Sequence, residues 1–431
     1  MKKLVLIVVD GMTPAAFERA VEDGRAPTLA FLAEHGAYRR GTSVFPSLTP
    51  VCLSSIATGA GPDVHEIPHL VWWHRREKRI VEYGSSFAAL RAAGMAQSIT
   101  DTIYNMNQRH LGARSVTVYE ALEDAGHVAA AVNITCYRGR SRHLPTLPWV
   151  TKAAYGPSRF FYYSLFESDP TGAPLAVRNR AAGSVDAYAA AVGRWLVTRD
   201  GFDFLAYYLS DFDYASHEHG PAGADDVALV RTDDAIKSLV DAAGGPDDFL
   251  DRYAVVLLAD HGQTPVQDVA QLGNALARFG DDIVVCASNR AAQIYLAPDA
   301  QVAVAEIARA LDGVPSVDVT LRREGDEVVA RRDGGDGRVA ELEHPDAVER
   351  ARAAIANPNA GDLLVSAAPG WEYADLGGRH HLGGGSHGSL TAGDSTVPIL
   401  TVGFDAELRR ITDVSPAVLQ HFGVGVSPSV V

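Results

Sequence analysis

Uninterrupted apolar runs recur along this chain. Leu4-Val5-Leu6-Ile7-Val8-Val9 opens it, 204–209 and 253–258 repeat the pattern, and 128–134 and 397–402 do so apart from Asn133, Pro398 and Thr401. Runs of Val, Ile and Leu without polar alternation mark strands covered on both faces, as in parallel sheets. Between them, helical periodicity predicts helices over 14–22, 27–35, 50–58, 116–125, 184–198 and 222–243. Strand and helix in alternation predict an α/β layered fold, a mostly parallel sheet with helices on both faces. Ligands of such sheets bind beyond the carboxyl ends of the strands. The residues that close each apolar run are therefore where chemistry is expected.

Two stretches break the pattern. Residues 137–180 mix Arg138, Arg140, Arg142 and His143 with Trp149, Tyr155, Phe160, Phe161, Tyr162, Tyr163 and Phe166. They read either as an inserted cap or pocket wall, or as a packed cap with a solvated basic edge, since aromatics chiefly serve packing. Residues 276–380 carry their own strands and helices, including an expected hairpin of 328–332 with 338–342 around Asp333-Gly334-Gly335-Asp336-Gly337. This region reads as a smaller α+β subdomain inserted into a core of 1–275 and 381–431.

A chain of 431 residues has ample material for a core. Its net charge of −15 argues against a nucleic-acid polymer as partner, which needs a basic footprint. It does not exclude a small anionic substrate, because bound divalent metals invert the local field. Cys52, Cys136 and Cys286 have no paired spacing, so no sulfur-based metal site is expected and a reducing compartment is. Met1-Lys2-Lys3 and the apolar run after it imitate a signal peptide, but Asp10-Gly11 interrupts where an apolar segment should continue. The expectation is a buried first strand in a cytoplasmic protein with no membrane span.

Asp10 closes the first run. Asp213 and His217 follow the 204–209 run, Asp260 and His261 follow 253–258, and His387 lies in Gly384-Gly385-Ser386-His387-Gly388. These are oxygen and imidazole ligands suited to two divalent cations, and Thr49 offers a hydroxyl that such metals could activate. Each has a plain structural reading beside it. Asp-Gly is a common turn. Thr49, followed by Pro50 and ending near Gly59, reads as a helix N-cap with Pro at N1 and a glycine after the C-terminus. A lone loop histidine is usually solvated. Asp213 and His217 share one face only if their segment is helical, and Asp211, Glu218 and His219 compete with them. The adjacent Asp260 and His261 can both ligate only where the chain turns, which Gly262 permits.

Jointly and in order, these blocks resemble the alkaline phosphatase superfamily, most of all its nucleotide pyrophosphatase/phosphodiesterase branch. Val8-Val9-Asp10-Gly11-Met12 resembles the opening strand and metal aspartate. Phe45-Pro46-Ser47-Leu48-Thr49-Pro50 with Ala57-Thr58-Gly59 resembles the nucleophile segment. Asp213 and His217 match an Asp-x-x-x-His pair, Ala259-Asp260-His261-Gly262 an Asp-His-Gly block, and Ser386-His387-Gly388 the final His-Gly. The resemblance implies one metal on Asp213, His217 and His387, and another on Asp10, Asp260 and His261 with Thr49. It implies zinc, with manganese as the alternative. Relatives carry an Asn that contacts the phosphoryl oxygen after a His-Gly-Ile segment. Here His65-Glu66-Ile67-Pro68-His69-Leu70 has none, and His69, Asn105 or Asn107 are candidates for its role.

The expected activity is therefore metal-dependent hydrolysis of a small phosphodiester or nucleotide-pyrophosphate-type substrate through a threonyl-phosphate. The alternatives are a phosphomonoesterase, phosphonate hydrolase or mutase on the same metals, and a catalytically silent metal-binding or interaction protein.

Overall fold

The computed structural model describes residues 1–146, 152–168 and 184–425, with the side chains of 168 and 225–227 excepted. An eight-stranded sheet forms its centre. From edge to edge the strands are Ala37–Thr42, Thr396–Val402, Tyr253–Leu258, Lys3–Val9, Phe204–Leu209, Ala129–Val132, Arg159–Tyr162 and Phe166–Ser168. The five from Tyr253–Leu258 through Arg159–Tyr162 run parallel. Two groups of helices flank the sheet: one includes Pro27–Glu34, Val185–Thr198 and Leu229–Ala243, the other Thr49–Thr58, Val118–Asp124 and Val414–His421.

The first strand shows why the expected fold forms. Leu4 through Val9 are all buried, with Val9 beside Leu209 and Val8 beside Leu258. Burying six such side chains contributes about 1.5–3 kcal/mol each. That sum rivals the whole net stability of a domain, about 5–15 kcal/mol. The strand cannot slip, so its end, and Asp10 with it, is fixed.

Several expectations are corrected in detail. The last apolar run, Thr396–Val402, pairs antiparallel with Tyr253–Leu258. Burial on both faces governs the composition of a strand, whereas its direction follows from the connections. Arg159–Tyr162 and Phe166–Ser168, in the stretch read as a cap, extend the central sheet, and Phe160, Phe161, Tyr162 and Phe166 join its core. Trp149 lies outside the described residues. The basic residues beside them are structural: Arg138 and Arg140 pair with Glu120, and Arg140 also with Asp124.

The single helix expected over 222–243 is instead two, Asp211–Val227 and Leu229–Ala243. The first is interrupted at Gly220 (φ 77°) before Pro221, whose missing N–H cannot join the helical ladder.

A second sheet, all antiparallel, has six strands: Ile283–Ser288, Ala291–Leu296, Leu363–Ala367, Val317–Glu324, Glu327–Arg332 and Gly335–Arg338. Its hairpin is tighter than expected. Arg332 pairs with Gly335, leaving Asp333 and Gly334 as a two-residue turn with φ of 51° and 77°. Among the described residues no helix is long and apolar enough to cross a membrane.

Candidate metal centre and catalytic site

The central sheet delivers two of the carboxylates. Asp10 follows the Lys3–Val9 strand, its N–H bonded to Leu209 O at 2.8 Å. Asp260 and His261 follow the neighbouring Tyr253–Leu258 strand, where the chain has left the sheet. Asp260 Oδ1 accepts from the backbone N–H groups of Gly11 (3.2 Å) and His261 (3.0 Å), so one carboxylate ties both strand ends together. Gly11 is required here. It has φ 66°, and a Cβ would lie 2.7 Å from Gln263 Nε2 and 2.8 Å from Asp213 Oδ1. Gly262 serves differently from the turn expected of it: its φ is not left-handed, and a Cβ would collide with the carbonyl oxygen of Gly393.

The remaining ligand candidates arrive on other elements. Asp213 and His217 lie one turn apart on the Asp211–Val227 helix, with His217 Nε2 at 3.2 Å from Asp213 Oδ2. His387 comes from the glycine-rich loop, and its ring stacks on His261 at 3.6 Å between centroids. Two trios have ligand atoms all within 4.8 Å of one another: Asp10, Asp260, His261 and Asp213, His261, His387. His217 belongs to neither trio and reaches the cluster through Asp213. The competing residues are engaged elsewhere. Asp211 accepts from Val185 N, while His219 and Glu218 are largely exposed.

All three histidines share one arrangement. Nδ1–H donates to a backbone carbonyl: Gly262 O for His261 (3.0 Å), Ser47 O for His387 (2.8 Å) and Gly385 O for His217 (2.8 Å). Each ring is thereby fixed with Nε2 turned inward, as in histidines whose second nitrogen binds a metal. His261 Nε2 lies 3.2 Å from Asp10 Oδ1, 3.6 Å from Asp260 Oδ2 and 3.2 Å from Thr49 Oγ1.

The electrostatics call for positive charge. Burial, then the nearby Asp213, raises the Asp10 carboxyl above its ordinary range. Burial, then Asp10, raises Asp260 well above it. Burial alone would depress His261, but Asp260 and Asp10 outweigh it and push the imidazole up to about 10. His217 is likewise pushed up to about 9, with Asp213 overcoming burial. Asp213 is held below the carboxylate range because His217 outweighs its burial. Asp260 Oδ2 is buried without a hydrogen-bond partner, and Asp10 Oδ1 has only the His261 ring beside it. Such oxygens are costly unless a cation meets them. The donor set, oxygen and imidazole with no sulfur, fits divalent metals of the zinc or manganese type.

Thr49 is the first residue of the Thr49–Thr58 helix rather than its cap. Leu48 holds that position, and no side chain caps the helix. The hydroxyl is therefore free of the role that the sequence offered as its plain reading. It points to His261 at a helix N-terminus, where free N–H groups favour phosphate oxygens.

Of the candidate substitutes for the relatives' Asn, both asparagines are engaged elsewhere, and His69 Nε2 is buried without a hydrogen-bond partner. Asn105 donates to Asp101 Oδ1. Asn107 donates to Thr135 O and accepts from Tyr137 and Arg138 N–H groups. His69 is wholly buried, with Nδ1 accepting from Val71 N. Sequence reasoning missed Gln263, whose amide donates to Asp213 Oδ1 and whose Oε1 accepts from Ser216 at 2.6 Å. It also missed Tyr208, whose hydroxyl donates to Asp10 Oδ2, and Asn289, whose Nδ2 lies 3.3 Å from His387 Nε2. For Gln263 a signal existed, two residues past the Asp-His pair. For Asn289, some hundred residues from His387, there was none.

Residues 4–390 match the family described as type I phosphodiesterase / nucleotide pyrophosphatase. The chain belongs to that family. It is an enzyme of the alkaline phosphatase superfamily acting on phosphoesters, in a group whose members use two metal ions. The fold is shared with phosphonoacetate hydrolase from Sinorhizobium meliloti 1021 in complex with phosphonoformate (TM-score 0.66, 21% identity, 97% of this chain and 95% of that one). It is shared also with murine ectonucleotide pyrophosphatase/phosphodiesterase 5, solved as an inactive threonine-to-alanine variant with AMP (TM-score 0.65, 14% identity, 99% and 96%). The human form of that protein is similar as well (TM-score 0.64, 15% identity, 99% and 96%).

Proposed function

We propose that this enzyme hydrolyses a small phosphodiester or nucleotide-pyrophosphate-type substrate, with Thr49 as nucleophile and a threonyl-phosphate intermediate. One observation carries this reading: three histidines, each locked through Nδ1, turn Nε2 toward carboxylates, His261 toward Asp10, Asp260 and the Thr49 hydroxyl, and His217 and His387 toward Asp213. Asp213, His217 and His387 would hold one cation; Asp10, Asp260 and His261, with Thr49, would hold the other. Two divalent cations so placed would supply Lewis-acid stabilisation of the charge on the attacking and leaving oxygens. Zinc is the proposed metal, manganese the alternative, and a cytoplasmic setting fits the unpaired cysteines. We place the smaller subdomain at 276–380, within a core of 1–275 and 381–431.

In the reaction Thr49 Oγ1 forms a bond to phosphorus while the bond from phosphorus to the leaving oxygen breaks, and the threonyl proton departs in net with the leaving group. Water then displaces Thr49, restoring its hydroxyl and releasing the phosphorylated product. The N-terminus of the Thr49–Thr58 helix favours the anionic group during both steps.

Thr49→Ala is expected to keep two metal equivalents and lose nearly all turnover, with Thr49→Ser retaining part of it. Wild-type-like hydrolysis by Thr49→Ala would remove the covalent mechanism. A diester such as bis(p-nitrophenyl) phosphate is expected to exceed p-nitrophenyl phosphate in kcat/KM. The second reading, a phosphonate hydrolase, draws on the fold shared with phosphonoacetate hydrolase. Release of phosphate from a phosphonate, with the diester untouched, would favour it.

A further inference from the structure

The turn joining Ile283–Ser288 to Ala291–Leu296 in the smaller sheet is not on the surface. Ser288 pairs with Ala291, which makes Asn289 and Arg290 the tip of a two-residue hairpin. Such tips usually meet solvent, yet Asn289 is 7% exposed and Arg290 not at all. The tip is pinned on every side. Asn289 O accepts from Tyr373 N at 2.7 Å, and Arg290 N donates to His387 O at 2.9 Å. The Arg290 guanidinium donates to Asp394 Oδ2 at 2.8 Å and Trp371 O at 2.7 Å. A buried Arg–Asp pair is costly to desolvate and adds little net stability, but it fixes geometry. Here it fixes the smaller sheet against the loop that carries His387.

We propose that Asn289 donates a hydrogen bond to a non-bridging phosphoryl oxygen of the substrate, so that the smaller sheet supplies one wall of the reaction centre. This rests on the phosphoester reading above. Ser288 Oγ donates to Asn289 Oδ1 at 2.8 Å, which turns the amide nitrogen toward His387. That nitrogen lies 3.3 Å from Nε2, the ring atom turned into the centre. An oxygen of a group held at the centre then comes within reach of this amide. Asn is also suited to the backbone there, since φ is 54° and Asn tolerates the left-handed region. A cavity of about 160 Å³ lined by Ser288, Asn289, Glu372, Asp375, Arg379 and His380 lies alongside, giving an uncharged polar substituent on phosphorus a place to extend. The amide would add neutral donors to the developing charge, as in an oxyanion hole.

The test uses Asn289→Gly, which keeps the turn and removes the amide, and Asn289→Asp, which keeps the shape and replaces donors with a negative charge. Metal content, melting temperature, hydrolysis of bis(p-nitrophenyl) phosphate and calorimetric binding of inorganic phosphate are measured on metal-loaded full-length protein. Both variants are expected to hold the wild-type metal content. kcat/KM is expected to fall about 100-fold in Asn289→Gly. Phosphate binding should weaken in the order wild type, Asn289→Gly, Asn289→Asp. Unchanged turnover and phosphate binding in Asn289→Gly would overturn the proposal, as would a loss of metal parallel to the loss of activity, which would make Asn289 a support for His387. If the wild type cleaves no phosphoester, the functional reading fails, while phosphate binding still decides the role of Asn289.

Discussion

Asp10, Asp260 and His261 stand on backbone that the central sheet fixes directly, whereas Asp213, His217 and His387 are brought together by side chains reaching between separate elements. In the first group, paired strands set the position, and Asp260 locks both strand ends by accepting from Gly11 N and His261 N. In the second, Asp213 is steered by Gln263, His217 by Gly385 O and His387 by Ser47 O. The first group inherits rigidity from a buried core. The second depends on polar contacts that can be removed one at a time.

The largest effect is expected where a ligand is also a brace. Asp260→Ala removes a carboxylate from the centre and frees the backbone of both Gly11 and His261. It should lose metal and activity by more than the roughly 100-fold typical of a lost outer partner. His217→Ala should be milder and confined to one cation, because His217 lies outside both trios and meets the cluster at Asp213 and the His387 ring. Metal titration of the two variants checks the order. Retention of both cations by Asp260→Ala would break the comparison at its stronger side.

The same division separates what could be read in the sequence from what could not. Strand ends were legible: unbroken Val, Ile and Leu runs cannot slip in register, so the polar residue that closes each run is placed with it. The pairing of Asp213 with His217 was legible through helical spacing once a helix was assumed. Strand direction was not, as Thr396–Val402 demonstrates, since burial on two faces looks alike in either orientation. The strands at 159–168 were hidden by the aromatic and basic residues around them. Asn289 and Arg290 were hidden by distance, because a hairpin tip of another sheet has no periodicity pointing toward His387.

An intermediate effect sharpens the second side. Gln263→Leu keeps side-chain bulk but removes the donor to Asp213 and the acceptor for Ser216. A lost outer partner lowers metal affinity by about 10- to 100-fold, and here the loss should fall on the weaker of two binding steps. Equal weakening of both steps would mean that the two halves respond as one unit.

The smallest effect concerns how the Asp213 helix is moored. Asp186, wholly buried, accepts from Ser210 N (2.9 Å), Asp211 N (3.1 Å) and Thr232 Oγ1 (2.9 Å), while Asp211 Oδ1 accepts from Val185 N (3.1 Å). Each of two helix N-termini is thus held by a carboxylate from the other. Burial, then the Asp211 charge, pushes the Asp186 carboxyl up to about 7, against 3.8 ordinarily. The folded state therefore binds this proton more tightly than the unfolded state does. The stabilisation is complete below the ordinary value and is lost as pH rises through about 7. Asp186→Asn keeps an oxygen for the two N–H groups and does not titrate. Its stability relative to wild type should rise between about pH 4 and about pH 8, with turnover close to unchanged. Denaturant midpoints of both proteins across that window test it. A constant difference would mean that Asp186 keeps its charge when buried and that its hydrogen bonds, rather than its proton, moor the helix.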